Sequence, residues 1–208
     1  MKFTCLLLFF VFPILIGGSF EFWKLAETWP PTFCRSTPCA VQISSKFTIH
    51  GLWPSNNTNP QPEFCPSNKF DSNKIKQNLK SQLETNWPAL KDGRNVSFWT
   101  YEWDKHGSCS QLPQNDFLNL ALSMFFKKDL KATLQKHRIV PGKRYQTASI
   151  TTTIYNDIRA MPEVVCNSNN QLTEIRLCLN TSTNGFINCT TQAAGQGSKC
   201  KTSVDYIL

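Results

Sequence analysis

Two spacings of apolar residues alternate along this chain, and the switches between them mark its elements. "FEFWKLAETW", residues 20–29, carries aromatic and apolar side chains on both faces of an extended segment, the pattern of a buried strand. It stops at "WPP", because Pro30 and Pro31 cannot donate to a ladder. "KFTIHGLW", residues 46–53, predicts a second short strand, closed by Pro54 and a polar, Asn-rich loop. The spacing then changes to four. In "FDSNKIKQNLKSQLETNWP", Ile75, Leu79, Leu83 and Trp87 share one helical face, with Asp71 or Ser72 as the starting cap and Pro88 as the stop. A second helix is predicted through "NDFLNLALSMFFKKDLKATLQKH", with Phe117, Leu120, Ala121, Met124 and Phe125 as its stripe. "SITTTIYNDI" predicts a third, through Ile150, Ile154 and Ile158. "LTEIRLCL" is expected as the last strand, with Ile175, Leu177 and Leu179 alternating with charged or polar neighbours. Strands and helices that do not alternate regularly predict an α+β fold.

The first residues belong to neither regime. "MKFTCLLLFFVFPILIGGSF" places one Lys2 before an apolar run that ends in small residues, the build of a secretory signal peptide. An uncleaved anchor is the alternative, but the run is short for a ~20-residue span and Pro13 breaks it. Residues 1–19 are therefore expected to be removed, leaving residues 20–208 as one secreted, soluble, monomeric domain. Their loss takes away Cys5, and eight of the nine cysteines remain, an even number that reads as a disulfide framework in an exported chain. Spacing alone leaves the pairing open. Export also makes Asn56, Asn95, Asn180 and Asn188 candidate glycosylation sites, Asn188 the weakest because a cysteine is its middle residue. Losing Lys2 lowers the net charge from +8 to +7, spread without any Lys/Arg block, which favours a folded surface that attracts polyanions.

Candidate chemistry gathers in "FWTYEWDKHGSC", residues 98–109. On a helix, Glu102, Lys105 and His106 would share a face, with Trp99 one turn earlier and Phe98 beside it. By itself such a face reads as ordinary solvated surface. A second imidazole, His50 of "FTIHGLWP", is expected in an apolar strand beside Gly51, Trp53 and Pro54, where a hydrogen-bonded core histidine is the plain alternative. Two imidazoles on separate elements can divide acid and base work across a cleft. His137, among Lys136 and Arg138, reads as surface. His50, His106 and Cys109 are zinc-compatible types, but no CxxC or HxxxH spacing unites them, and there is neither a two-metal carboxylate cluster nor a GxSxG motif.

Taken together, "FTIHGLWP" and "FWTYEWDKHGSC" resemble the two active-site boxes of the ribonuclease T2 family. The resemblance extends through "WPPTFCRSTPC", "NWPAL", "IVPG" and the four C-terminal cysteines, and within the family it is most like the plant self-incompatibility ribonucleases. It implies a central antiparallel sheet with surrounding helices and the disulfides Cys34–Cys39, Cys65–Cys109, Cys166–Cys200 and Cys178–Cys189. It implies His50 as general acid, His106 as general base, Glu102 and Lys105 as stabilisers of phosphoryl charge, and Trp53 and Phe98 as nucleotide contacts. Tyr101 stands where many members have a histidine, so a phenol hydrogen bond would replace an imidazolium; Thr28 stands where many have a glutamine associated with base contacts. The implied substrate is single-stranded RNA, with no cofactor, and the implied partners in the style are pollen F-box proteins. A general ribonuclease for phosphate recycling or defence, and an inert storage or binding protein on the same scaffold, are the competing readings.

Overall fold

The structure, a computed structural model, describes residues 20–189 and 198–208. The expected signal peptide, residues 1–19, lies outside the described residues. The first half of the described chain runs β1 (Phe22–Thr28), α1 (Pro30–Ser36), β2 (Thr48–Ser55), α2 (Gln77–Asn86) and α3 (Asn95–Lys105). The second half runs α4 (Gln114–Phe125), α5 (Leu130–Lys136), β3 (Lys143–Gln146), α6 (Thr147–Ile158), β4 (Glu163–Cys166) and β5 (Leu172–Asn180). It closes with β6 (Phe186–Ile187), β7 (Ser198–Lys199) and β8 (Ser203–Tyr206).

An antiparallel sheet in the order β2-β1-β5-β4-β7 forms the centre, with β6 on β5, and β3 pairs with β8 in a separate ribbon. β1 is buried at all seven positions, as its two-sided apolar composition requires. Its register with β5 divides the sheet by chemistry. Lys24, Ala26 and Thr28 stand beside Cys178, Arg176 and Glu174 on one face, while Trp23, Leu25 and Glu27 stand beside Leu179, Leu177 and Ile175 on the other. The second face meets the core that contains Phe117, Ala121, Ile150 and Ile154. The first is charged, and it carries the cleft. Four disulfides, Cys34–Cys39, Cys65–Cys109, Cys166–Cys200 and Cys178–Cys189, tie these elements together in the pairs the resemblance implies.

Several elements differ from their sequence expectation, each for a local reason. The helix expected over residues 115–137 is two helices, because Asp129 leaves helical geometry and its side chain accepts from the Ala132 amide to start α5. Asp71 does cap, but it caps a short 3-10 turn at Ser72–Lys74; the α-helix begins only at Gln77 and ends before Pro88 as expected. β2 continues through Pro54 to Ser55, which an edge strand permits because a missing N–H there leaves no neighbour unpaired. β5 is neither the last strand nor half-solvated: Glu174, Arg176 and Cys178 are as buried as the leucines between them.

Candidate active site

His50 owes its position to an irregularity in the β1–β2 ladder. Ala26 pairs with Gly51 and Glu27 with Ile49, so His50 is the extra residue of a bulge. A bulge re-aims the side chain it carries. Ile49 and Leu52 stay in the core while the His50 side chain, 39 % exposed, turns out to the cleft. This corrects the expectation of a buried strand histidine. The His50 carbonyl accepts from the Trp87 indole N–H at 2.7 Å, so the bulge is tied to the core tryptophan that ends α2. Gly51 has a separate reason for being glycine. A Cβ there would lie 2.2 Å from both Glu102 Oε2 and Trp53 Nε1.

The other half of the site comes from α3, which is anchored by tryptophans. The Trp99 indole donates to the Trp87 carbonyl and that of Trp103 to the Asn68 carbonyl. The other side of the helix carries Phe98, Tyr101, Glu102 and Lys105, of which Phe98 and Tyr101 line the cleft, and His106 follows at the helix end. Glu102 is 2 % exposed and accepts from the Trp53 indole at 3.1 Å, with Oε1 4.0 Å from His50 Nε2. Lys105 does not pair with Glu102 in the way a simple helical face suggests. Its ammonium lies 3.4 Å from Glu63, on a loop held by the Cys65–Cys109 disulfide and by hydrogen bonds from Phe64 N to the Lys105 carbonyl and from Cys65 N to Ser108 Oγ.

Trp53 is in ring contact with both imidazoles. Its ring centroid is 5.3 Å from that of His50 and 5.3 Å from that of His106, so the imidazoles are at most twice that distance apart. Phe98 stacks beyond His50 at 6.2 Å. From His50 a cleft of about 780 Å³ opens over Thr28, Phe98, Tyr101, Arg94 and Asn167. Tyr101 is half exposed there, edge-on to Phe64 at 6.5 Å.

The surroundings drive the two histidines apart electrostatically. Burial pushes His106 down to about 3, and the positive charges of Lys105 and His50 add to it. Burial would also lower His50, but the Glu174 carboxylate, its hydrogen bond and Glu102 outweigh that and hold His50 above the usual histidine range. Burial raises Glu102 above the ordinary carboxyl range despite His50, the Trp53 hydrogen bond and Lys105. Of the opposing influences on Glu102, burial is therefore the stronger.

The pattern of β5 concealed two further members of this neighbourhood. Glu174 Oε1 lies 2.8 Å from His50 Nδ1, and Arg176 bonds Glu174 Oε2 through Nε and Nη2 while its guanidinium covers the Trp53 ring at 5.1 Å. Opposite charges two residues apart in "TEIRL" were the available sign, but alternation with apolar residues reads as a solvent face unless the strand is known to be central. His137 is exposed, as expected. Cys109 is in a disulfide and cannot complete a zinc set with His50 and His106. Asn188 is exposed, whereas Asn56, Asn95 and Asn180 are partly buried, with Asn95 Oδ1 accepting from Ala89 N and Asn180 Oδ1 from Ser182 N.

Known proteins place this arrangement. Residues 20–189 match the Ribonuclease T2 family. Ribonuclease 3 of Arabidopsis thaliana is 35 % identical over 203 residues, covering 90 % of each chain. Ribonuclease S-7 of Nicotiana alata is 33 % identical over 193 residues, covering 88 % of this chain and 87 % of that one. Among solved structures, the self-incompatibility associated SF11-RNase of Nicotiana alata superposes with a TM-score of 0.81 at 30 % identity, covering 91 % of this chain and all of that one. Family, fold and the paired boxes agree: the chain belongs to the ribonuclease T2 family.

Proposed function

We propose that this ribonuclease cleaves single-stranded RNA by metal-free transphosphorylation, with His106 as base and His50 as acid. One observation carries the reading: the two imidazoles flank the same indole, and their surroundings favour the neutral form of one and the charged form of the other. RNA supplies its own nucleophile, so no water need be activated in the first step. His106 takes the proton from the ribose 2′-hydroxyl, the 2′-oxygen attacks phosphorus, and His50 Nε2 gives its proton to the departing 5′-oxygen. The products are a 2′,3′-cyclic phosphate and a 5′-hydroxyl end. Lys105 donates to the phosphoryl oxygens, and Glu102, whose carboxyl burial raises, stands with it as a stabiliser of the charge that develops there. A base held at about 3 is weak in the empty site; the phosphodiester's negative charge raises it as substrate enters. Trp53 beside both imidazoles, and Phe98 and Tyr101 in the cleft that Thr28 also lines, supply aromatic surface for the nucleotide.

Purified protein should degrade RNA in excess EDTA, leave single-stranded DNA intact and accumulate 2′,3′-cyclic phosphate ends. Loss of activity on chelation, or cleavage of DNA, would overturn the mechanism.

At the physiological level we propose a secreted, glycosylated protein of the pistil that rejects pollen by degrading its RNA and is recognised by pollen F-box proteins. Similarity to Ribonuclease S-7 and to SF11-RNase and the positive net charge support this. The comparable similarity to Arabidopsis Ribonuclease 3 favours a second reading, a general ribonuclease of phosphate recycling or defence. Expression confined to the style supports the first; induction in starved leaves and roots supports the second.

A further inference from the structure

Behind the cleft, the charged face of the sheet carries a continuous chain of ionic contacts. Lys24 on β1 lies 3.3 Å from Glu163 on β4. Glu163 lies 3.5 Å from Arg176 on β5, whose other nitrogens hold Glu174 at 2.7 and 2.8 Å. Glu174 in turn holds His50 Nδ1 at 2.8 Å. Lys24, Glu174 and Arg176 are almost fully buried, and so much charge in one interior is costly unless each group meets an opposite one. Here each does, and the chain ends on one ring nitrogen of a histidine whose other nitrogen faces the cleft.

We propose that Glu174, fixed by Arg176 and through it by Glu163 and Lys24, is a positioning residue that orients the His50 imidazolium for proton donation and sets the tautomer of the neutral ring it leaves. Resting on the acid role argued above, the inference adds what makes His50 competent. The Glu174 carboxylate accepts the Nδ1–H, which leaves the remaining proton of the imidazolium on Nε2, toward the cleft. When that proton passes to the 5′-oxygen, His50 becomes neutral with its hydrogen still on Nδ1. Nε2 is then a free acceptor, ready to take a proton from water in the second, hydrolytic step. Without Glu174 the neutral ring is free to choose the other tautomer, which has no acceptor at Nε2 for the second step, and the imidazolium is no longer held with its Nε2–H toward the cleft.

Four charged or titratable groups face His50. Glu174 and Glu102 favour its imidazolium, Arg176 opposes it, and His106 across Trp53 opposes it when protonated. Arg176 therefore acts on His50 in two ways: it repels the imidazolium directly, and it keeps Glu174 ionised. Burial would raise the Glu174 carboxyl, but His50 and Arg176 together hold it below the usual carboxylate range. The other buried glutamate in this sheet, Glu27, shows what happens without such partners: one of its oxygens has no hydrogen bond, and burial, with help from Asp129, pushes it well above that range.

The test uses ¹⁵N and ¹H NMR of the whole protein with specifically labelled histidine, together with kinetics on a dinucleotide. In the wild type, neutral His50 should be the Nδ1–H tautomer and titrate above the ordinary value of 6.5. In E174Q its midpoint should fall by about 1 pH unit or more. kcat should drop about 10- to 100-fold with KM little changed, and the alkaline limb of the rate profile should move down with the His50 midpoint. E27Q should leave both His50 titration and rate unchanged. A folded E174Q with an unshifted His50 overturns the proposal, and so does an Nε2–H tautomer in the wild type, which decides the matter even where E174Q fails to fold. The two readings fail separately. A wild type that holds His50 in the Nδ1–H form but does not cleave RNA refutes the function alone, whereas an active enzyme with the opposite tautomer refutes the positioning alone.

Discussion

At the scale of single residues, the site is two histidines with opposite electrostatic surroundings. As the proposed base, His106 must be neutral to accept a proton, and its depressed value of about 3 keeps it neutral far into the acid range. As the proposed acid, His50 must be charged to donate, and the upward shift keeps it charged past the usual histidine midpoint. The pH profile of kcat/KM should therefore be bell-shaped, with an acid limb well below the ordinary histidine range and an alkaline limb above it. Initial rates on a dinucleotide across the pH range check this; an acid limb at the ordinary histidine midpoint would contradict it. H50A and H106A should each lower kcat by about 10²- to 10⁴-fold while the circular dichroism stays native. Both histidines, Glu102, Lys105 and Trp53 were legible in the sequence because two long boxes carry them together. Glu174 and Arg176 were not, because nothing local distinguishes a buried polar face from a wet one.

At the scale of elements, the site depends on a bulge and a close approach. Regular alternation along β2 would place His50 on the same face as Leu52, in the core; the bulge sends it outward. Gly51 lets Trp53 and Glu102 meet across the strand-to-helix gap, since any Cβ would occupy the space of both. G51A should cost about 1–3 kcal/mol, read as a lower thermal midpoint, and reduce kcat at least about tenfold by breaking the Trp53–Glu102 hydrogen bond. Wild-type turnover in G51A would show that this contact does not serve the reaction. The helices were the most legible elements, because four-residue spacing is a local property; their interruptions at Lys76 and Asp129 were less so, since caps compete with an apolar stripe that runs on past them.

The whole molecule adds long-range charge and a cost in its core. A net charge of +8, dispersed over the chain, attracts the phosphates of long RNA more than those of a dinucleotide. Raising salt should therefore lower kcat/KM on polymeric RNA more steeply than on a dinucleotide; equal slopes would confine the electrostatics to the cleft. Glu27 sits on the apolar face of β1, where folding strengthens its hold on a proton. The folded state then binds more protons than the unfolded one above the ordinary carboxyl range, and stability falls as pH rises through that window. E27Q removes this loss, so its thermal midpoint should exceed the wild type's by a margin that grows as pH rises above the ordinary carboxyl range. A constant margin would mean that Glu27 is not the source.

The sequence by itself determined what depends on neighbours along the chain: where most strands and helices lie, and which two boxes carry the paired histidines. Only the tertiary structure decided that β5 is central, that His50 leaves the ladder and that Glu174 and Arg176 stand behind it. The reason is physical. Periodicity records which side chains share a face, but burial of that face depends on strands brought together from 178 to 24 and from 50 to 174, and the protonation of a group follows its burial.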